Sequence, residues 1–504
     1  MGHFEIIIGI LNIQTVLLGT SIGLLTYYIY GKLRYKSPPG PWSIPLIGDY
    51  KIYSNRQMHR EVAALSEKYG PVVQISMGPI KAIILNNLEV VIEAMVKKKA
   101  DFAGRPTFKS GNLFTEGGKD IALAPYNATW KFQKKVAGKA LRYYMQGTHL
   151  ETMISDVCDC VFDRMSKEKE PFVVTDYVDK LVIHMLFNMC FGRKCDLDSK
   201  DVNKLLQIDQ DIIEKFGSGF IEDIVPGMTY VYKTKRWKDL ERLIEEVTTF
   251  LRKELKEHKE TFNSSNIRDF TDSLILAREE AENEEREENV AMLSDTYLVQ
   301  ILSDIFFAGL DTTRMTLDWF LSYMVAYPEY QQKCQEEIDD VIGKEESPSA
   351  SDRPNLCFTE ACIMEAMRMG AVAAFGVPHA TICDTTVGGY DIPKGTMVLI
   401  NHWALHNDPT FWKNVDKFDP YRYLTKEGKM DMKPENWLPF SAGRRVCLGE
   451  PVARTELLLI ASSFLKNFRF KVPPGVTHSI KHRAPAAGTE LPELYKVVVE
   501  KRNN

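Results

Sequence analysis

The chain lacks two features that mark common protein classes: an excess of positive charge and a regular pattern of cysteines. Across 504 residues, 63 lysines and arginines stand against 68 aspartates and glutamates, so the net charge is −5. Nucleic-acid-binding proteins carry basic surfaces, and this balance gives no support for one. The nine cysteines have no pairing rhythm, which is typical of a reducing compartment rather than of a disulfide framework. With 44% hydrophobic and 26% charged residues, the composition is that of an ordinary globular protein.

Charge is also absent from residues 6–30, which are apolar apart from a few amides and hydroxyls. At about 1.5 Å per residue, such a stretch spans a bilayer with some tilt. Lys32, Arg34 and Lys36 follow it, which by the positive-inside rule places the bulk of the chain in the cytosol. A cleaved signal peptide is disfavoured because its basic residues would precede the apolar segment. Residues 1–36 are therefore predicted to form one transmembrane helix with a basic flank.

Four prolines come next, and they predict a stiff hinge over residues 37–49. Residues 50–504 are predicted to form one folded domain. Within it, β-branched runs from Pro71 to Asn86 predict a small hairpin-like sheet. From about 140 to 260, apolar residues recur at spacings of three and four, which predicts helices.

The most informative stretch is a glycine-punctuated loop that runs from Phe440 to Gly449. Cys447 is the candidate axial ligand of a haem iron, because a thiolate ligand favours cleavage of the O–O bond. Gly443 would let the backbone turn against the porphyrin, and Gly449 would let amide donors approach the sulfur. Arg445 offers a guanidinium fork for a haem propionate, and Phe440 would shield the sulfur from water. The alternative is a surface loop with a stray buried cysteine.

This loop resembles the haem loop of the cytochrome P450 superfamily. The resemblance implies a mainly α fold with a small β-rich lobe, in which haem b lies between a long central helix and the cysteine loop. Residues 50–504 would then form a haem-thiolate monooxygenase domain. The proline segment is similar to the hinge of microsomal members, which implies a single-pass protein of the endoplasmic reticulum membrane with a cytosolic catalytic domain.

A long apolar helix is predicted to begin at Ser294 or Asp295 and to end near Val325. Gly309, Asp311 and Thr312 interrupt its apolar character. Glycine costs about 1 kcal/mol relative to alanine, and a hydroxyl can bond back to the carbonyl four residues earlier. Local rules broken together in a core helix indicate a functional site.

This motif resembles the oxygen-binding kink of the same superfamily. The resemblance implies that Gly309 opens a groove for oxygen, that Thr312 holds a water or the oxygen, and that Asp311 relays protons. The alternative is a helix that merely tolerates its threonines.

Four further residues become candidates for propionate contacts once a haem is assumed: Arg105, Trp130, Lys134 and His379. Trp130 and Lys134 lie four apart and so share a helical face. The family usually has arginine at the second of these positions, and lysine offers only a point charge. Taken alone, Arg105 is a loop arginine before a proline, and the lysines belong to a basic helix face.

The spacing of Glu365 and Arg368 sets opposite charges three apart on a helix. The resemblance implies a buried triad that these residues form with Arg422. Two positions depart from the family pattern: Tyr421 replaces a usual glutamate, and Ala371 replaces a common proline. The second change is expected to leave the turn that lines the substrate cavity less constrained.

Several segments look most similar to the steroid 17-alpha-hydroxylase/17,20-lyase group: Phe102 to Pro106, Ser303 to Thr313, Val377 to Ala380 and His402 to Asn407. Two residues suggest a reshaped pocket. Lys215 stands where that group has a polar amide, and Phe307 stands where a glycine is expected beside the cavity.

The resemblance implies insertion of one oxygen atom of O2 into a C–H bond of a hydrophobic, steroid-like substrate, with a lyase step as a further possibility. Electrons would come from NADPH through a flavoprotein reductase, with cytochrome b5 as an additional candidate partner. A basic surface of Lys131, Lys135 and Lys139 is predicted to meet the reductase.

Three alternatives remain open. They are a xenobiotic- or fatty-acid-hydroxylating member of the superfamily, a thiolate-haem isomerase or dehydratase that needs no reductase, and a non-enzymatic membrane haem protein. Zinc at His402 and His406 is disfavoured, because no third ligand follows at the required spacing.

Overall fold

The structure is a computed structural model that describes residues 35–44, 47–145, 149–217, 219–225, 227–284, 287–343, 346–431, 433–483 and 488–502, with scattered positions between 15 and 26. The predicted anchor over residues 1–36 falls almost entirely outside the described residues. No helix within the described ranges combines the length and the apolar character needed to cross a bilayer.

Helices dominate the chain, as the three- and four-residue spacing of apolar side chains predicts. Before the central helix they are α1 (Tyr50–Tyr53), α2 (Met58–Tyr69), α3 (Leu88–Ile92), α4 (Lys109–Phe114), α5 (Ala128–Tyr144), α6 (His149–Met165), α7 (Thr175–Phe191), α8 (Lys200–Gly217), α9 (Ile221–Ile224), α10 (Met228–Val231), α11 (Lys235–Thr261), α12 (Phe270–Asn283) and α13 (Glu287–Ala291). From the central helix onward they are α14 (Asp295–Ala326), α15 (Pro328–Ile342), α16 (Cys357–Gly370), α17 (His402–His406) and α18 (Glu450–Asn467). A π-helical turn spans Glu93–Lys97, and short 3-10 turns span Ala350–Asp352, Pro420–Tyr423 and Gly443–Arg445.

The strands are short and form a small β-rich part. They are β1 (Val72–Met77), β2 (Ile80–Leu85), β3 (Phe172–Val173), β4 (His379–Ala380), β5 (Thr385–Val387), β6 (Tyr390–Ile392), β7 (Met397–Ile400), β8 (Phe468–Lys471), β9 (His482–Arg483), β10 (Leu491–Pro492) and β11 (Lys496–Lys501). Strands β1 and β2 pair antiparallel with Val72 opposite Leu85, which confirms the predicted hairpin. The sheet continues in the order β1-β2-β7-β4, with β2 and β7 parallel, and β4 brings His379 to its edge.

The central helix α14 starts and ends within one residue of its predicted limits. Ser294 precedes it, but its side chain makes no capping hydrogen bond. Helix α14 is apolar on most of its surface because it packs against α7, α16 and α18 at once. Helix α18 begins directly after the cysteine loop, so this packing brings the loop and the central helix into one core. The mainly α fold with a small β-rich lobe is confirmed.

Candidate functional site

Cys447 lies three residues before the first residue of α18. Its backbone N–H donates to the carbonyl of Phe440 at 3.0 Å. Burial raises the pKa of the thiol, and the backbone N–H groups of Gly449 and Glu450, which point at the sulfur, oppose this shift. Although the protein surrounds Cys447 closely enough to perturb its pKa, the residue stays accessible, as a metal ligand must be. Amides that favour the thiolate at a helix N-terminus suit a sulfur that binds metal.

The structure requires glycine at one of the two glycine positions of the loop and not at the other. Gly443 has φ +79°, and a Cβ there would lie 1.9 Å from the carbonyl oxygen of Met95. Both the backbone conformation and the close approach therefore demand glycine. No described atom lies within 4 Å of a Cβ at Gly449, so its expected role depends on its amide rather than on its missing side chain. Phe440 is half-buried, with its ring 6.2 Å from that of Trp437.

Two guanidinium groups lie beside this loop, that of Arg445 buried and that of Arg105 partly buried. Among the described residues, both donate to backbone carbonyls and to no side chain. Arg445 donates to Ala103 at 2.9 Å, to Ile121 at 3.1 Å and to Ala124 at 2.6 Å. Arg105 donates to the carbonyls of Ala122, Val377 and Pro378 at 2.8 to 3.0 Å.

Neither of the two forms an ion pair with a carboxylate among the described residues. Burial, opposed by the charge of Asp120, lowers the pKa of Arg445 to about 10, and burial together with Arg445 lowers that of Arg105 to about 9. Cations that are withdrawn from water and have no bonded counterion make this a site for an anion.

Trp130 and Lys134, two further candidates for propionate contacts, already donate hydrogen bonds to backbone carbonyls. The indole N–H of Trp130 donates to Ile121 at 2.9 Å, and its ring lies 4.1 Å from the Arg445 guanidinium carbon. Lys134 donates to the carbonyl of Arg444 at 2.8 Å.

His379 differs from its expected role as a hydrogen-bond donor. Its Nδ1 lies 2.9 Å from the carbonyl of Phe102, and burial beside Arg105 lowers its pKa to about 3. A neutral ring that donates through Nδ1 has only an acceptor at Nε2. His379 could therefore donate to a propionate only after gaining a proton.

The donor set fits a haem. An accessible thiol is directed by amides at a helix N-terminus, and two arginines and one lysine offer positive charge nearby. Haem bound here would supply the reductive activation of oxygen. Cys447 would hold the iron, and the arginines would hold the propionates.

Asp304 lies one turn before Ala308 on α14 and was not predicted from the sequence to be a site residue. Its Oδ2 accepts the backbone N–H groups of Ile121 and Ala122 at 2.5 and 3.1 Å. The carbonyls of these same two residues accept Arg445 and Arg105. Asp304 therefore ties the central helix to the segment that orients both arginines. An acidic residue in an apolar helix was the available signal.

Thr312 and Ala308 are exposed in the middle of a largely buried helix. The Thr312 hydroxyl donates to the Ala308 carbonyl at 2.8 Å. The helix continues without a break through Gly309, where a Cβ would lie 3.0 Å from Leu186 Cδ2 of α7. The absence of a side chain at Gly309 therefore leaves room for Leu186 in this helix contact.

Asp311 is held by an arginine on its own helix. Arg314 approaches Asp311 Oδ1 through Nε at 3.0 Å and through Nη2 at 2.7 Å. Burial raises the pKa of Asp311, and Arg314 opposes that shift. Asp311 is thus a partly buried acid with a fixed orientation.

The structure brings Glu365, Arg368 and Arg422 together. Arg368 pairs with both carboxylate oxygens of Glu365 at 2.8 and 2.9 Å, and Arg422 reaches Glu365 at 3.1 Å. Arg368 also donates to the carbonyls of His406 and Val415. Because its partners satisfy the buried charge, the triad fastens the segment before the cysteine loop to α16.

The structure shows the backbone and contacts of Ala371 and Tyr421, the two residues that depart from the family pattern. Ala371 adopts φ +41°, and its N–H donates to Met367 at 3.1 Å. Proline could make neither feature, because its φ is near −65° and it has no N–H. The turn is therefore constrained in another way rather than loosened. Tyr421 is exposed, and its hydroxyl accepts a bond from Lys333 at 2.9 Å.

The remaining candidates are placed as follows. Phe307 and Lys215 are partly buried, and Lys131, Lys135 and Lys139 are exposed. Lys139 forms an ion pair with Glu280 at 3.0 Å, which reduces its share of the basic surface. His402 and His406 lie on α17, and within the described ranges neither joins a cluster of three metal-binding side chains.

The family model for cytochrome P450 matches residues 38–499, and the chain belongs to the cytochrome P450 family. It is a monooxygenase, and its family implies a haem cofactor. The steroid 17-alpha-hydroxylase/17,20 lyase of Squalus acanthias is 35% identical over 440 residues, or 86% of each chain. The cytochrome P450 1A1 of Rattus norvegicus is 33% identical over 455 residues, which cover 87% of this chain and 86% of that one.

Solved structures agree with this family assignment. A zebra fish cytochrome P450 with progesterone matches with a TM-score of 0.78 at 28% identity, covering 88% of this chain and 99% of that chain. A zebra fish cytochrome P450 with abiraterone matches with a TM-score of 0.77 at 27% identity, covering 89% of this chain and 100% of that chain.

Proposed function

We propose that this monooxygenase uses haem b, held by Cys447, to hydroxylate a hydrophobic, steroid-like substrate. The observation that carries the proposal is the exposure of Ala308 and Thr312 on an otherwise buried stretch of α14, next to the oriented acid Asp311. A hydroxyl and an acid on one accessible stretch of a core helix can hold a water and move a proton toward it.

Each residue of this stretch has a separate task in the proposal. The Thr312 hydroxyl donates to Ala308 and keeps its lone pairs to accept a bond from a water. Asp311, oriented by Arg314, is the carboxyl group that relays protons to that water. Phe440 limits access of water to the sulfur of Cys447.

Replacing Thr312 tests this division of tasks. Thr312→Ala should retain haem but release more hydrogen peroxide for each NADPH consumed, because the water is no longer held. Thr312→Ser keeps the hydroxyl and is the matched control. Product, peroxide and NADPH are measured together, with the same assay applied to Asp311→Ala. Full coupling in Thr312→Ala and Asp311→Ala would remove both residues from the mechanism and favour a reductase-independent isomerase.

The steroid class is supported by relatives named steroid 17-alpha-hydroxylase/17,20 lyase. A non-steroidal aromatic substrate is the second candidate, because cytochrome P450 1A1 proteins match at nearly the same identity and Phe307 adds an aromatic ring beside the expected cavity. Spectral titration of the purified protein with steroids, fatty acids and aromatic xenobiotics separates these classes. A shift with aromatic compounds alone would contradict the steroid proposal.

The location and partners form a further part of the proposal. Residues 1–36 would anchor the chain in the endoplasmic reticulum membrane, with the hinge over 37–49 leading to a cytosolic domain over 50–504. An NADPH-dependent flavoprotein reductase, with cytochrome b5 as a second donor, would supply electrons.

A second apolar surface supports membrane contact. Large apolar side chains around α9 and α10 are exposed: Ile221, Val225, Tyr230, Val231 and Tyr232. An exposed apolar group of this kind indicates contact with a protein or a membrane. Deleting residues 1–30 should therefore release much, but not all, of the protein from salt-washed membranes. A lumenal domain in a protease-protection assay would contradict the topology.

A further inference from the structure

Three aspartates from three helices face one buried arginine. Arg314 of α14 lies 2.7 Å from Asp311 Oδ1, 3.3 Å from Asp179 of α7 and 3.4 Å from Asp209 Oδ2 of α8. The side chains of Arg314, Asp179 and Asp209 are 9%, 10% and 3% exposed. The Asp311 side chain is 22% exposed. One positive charge cannot balance two buried carboxylates and a third that is mostly buried, so the cluster must bind at least one proton.

Asp209 is the group that holds this proton. Its Oδ2 is buried and accepts no hydrogen bond from a described donor. Burial and the charges of Asp311 and Asp179 raise its pKa well above the usual value. Asp209 Oδ2 and Asp311 Oδ1 are also neighbours in space, because both lie close to the same Arg314 Nη2, at 3.4 and 2.7 Å. Asp311 instead receives two contacts from Arg314, which favour its ionised form. A protonated Asp209 that donates to an ionised Asp311 satisfies both groups.

The other charged groups around the cluster do not alter this assignment. The charges of Asp176 and Asp311 raise the pKa of Asp179 further, and the charge of Asp179 in turn raises the pKa of Asp318. Gln210 donates to Asp179 at 3.4 Å and carries no charge. Among the described residues, Arg314 is the one cation bonded to the three aspartates.

We propose that Asp209 is a positioning residue for Asp311, which it holds through one shared proton and thereby couples to helix α8. The inference rests on the proposed role of Asp311 in proton delivery. Ionisation of Asp209 would place two unshielded carboxylates side by side, and their repulsion would move Asp311 out of place. Helix α8 also carries Lys215, near which the substrate is expected, so a shift of α8 would reach the proton-delivering acid directly.

The proton can be observed without turnover. Infrared difference spectra of the haem-loaded full chain, recorded across an alkaline titration, should show the C=O band of a protonated carboxyl disappearing. Asp209→Asn should lack this band. Asp318→Asn removes a buried carboxyl of α14 that bonds Thr175 at 3.0 Å rather than Asp311, and it should retain the Asp209 band. A band that is unchanged in Asp209→Asn would overturn the assignment of the proton.

The positioning is tested by the ratio of peroxide released to NADPH consumed, with progesterone as the probe steroid. Asp209→Ala should raise this ratio several-fold, and Asp209→Asn, whose amide can still donate to Asp311, should restore it. The wild-type ratio should rise at alkaline pH, whereas that of Asp209→Asn should stay flat. Identical ratios and pH profiles in wild type and Asp209→Ala would overturn the inference.

The Asp311→Asn variant distinguishes a failure of the proposed role of Asp311 from a failure of its positioning by Asp209. If Asp311→Asn leaves the ratio unchanged, the role of Asp311 itself fails. If Asp311→Asn raises the ratio and Asp209→Ala does not, Asp311 keeps its role and the positioning by Asp209 fails.

Discussion

The carbonyl oxygen of Met95 lies 1.9 Å from the place where residue 443 would carry a Cβ. Gly443 is therefore pressed against the π-helical turn over Glu93–Lys97, and this contact fixes one side of the cysteine loop. The loop cannot accept a side chain here without moving away from that turn.

The first prediction is that Gly443→Ala loses haem and lowers the melting temperature. A left-handed backbone costs a residue other than glycine roughly 1–2 kcal/mol, and the clash with backbone adds to this. Haem content per chain and thermal unfolding are the measurements. Gly449→Ala is the matched control, because Gly449 has φ −87° and an open Cβ position. Equal haem content in Gly443→Ala and wild type would show that the loop adapts.

The second prediction concerns the ligand. Cys447→His should keep some haem but lose the red-shifted Soret band of the ferrous carbonyl complex, because imidazole is a weaker electron donor to iron than thiolate. Cys383→Ser changes another exposed cysteine and should leave the band intact. Survival of the band in Cys447→His would assign the ligand to another cysteine.

The fold and part of the site could be predicted because their signals are local. The limits of α14 follow from its apolar length, and the spacing of Glu365 and Arg368 places both on one helical face. The cysteine loop is contiguous in sequence, so its chemistry could be inferred from its own residues.

Other parts of the site depend on contacts that sequence spacing does not encode. Asp209 and Asp311 lie about a hundred residues apart, and in the folded chain they meet through their shared contact with Arg314. Asp304 acts through backbone groups of Ile121 and Ala122, which carry no side-chain signal. The sequence shows Arg314 as a charged residue in an apolar helix. It does not show that Asp179 and Asp209 are its partners.

The third prediction concerns electron transfer. Replacing Lys131 and Lys135 together by glutamate should slow the first electron from the reductase at low salt, with a smaller effect at high salt because exposed charges are then screened. Lys139→Gln should have less effect, since Glu280 already pairs with that ammonium group. Stopped-flow rates across salt concentrations are the measurement. Rates of the double variant that match wild type at low salt would place the reductase on another face.

The fourth prediction concerns Glu456 of α18. Burial raises its pKa from 4.5 to about 7, and its Oε1 has no hydrogen-bond partner among the described residues. Between these two pH values the folded chain keeps a proton that the unfolded chain has lost. The free energy of unfolding should therefore fall as pH rises through this window, by up to about 1.4 kcal/mol per pH unit.

Denaturant unfolding across this pH range tests the prediction. Glu456→Gln cannot titrate, so it should gain stability relative to wild type as the pH rises. Glu360→Gln is the control of opposite sign, because Arg353 and Arg454 lower the pKa of Glu360 and so stabilise its charged form above pH 4.5. A constant difference between Glu456→Gln and wild type would contradict the predicted titration.

Arg105 and Arg445 have a consequence for newly synthesised chains. Until an anion reaches them, these two arginines are bonded to carbonyl oxygens and not to a carboxylate, and the nearby charge of Asp120 does not prevent their pKa values from falling. Charge withdrawn from water in this way lowers the stability of the cofactor-free chain. A ligand that binds only the folded state raises stability in proportion to the logarithm of its concentration. Haem supply would then set how much of this protein escapes degradation, so its cellular abundance should follow haem synthesis even when its messenger RNA level is constant.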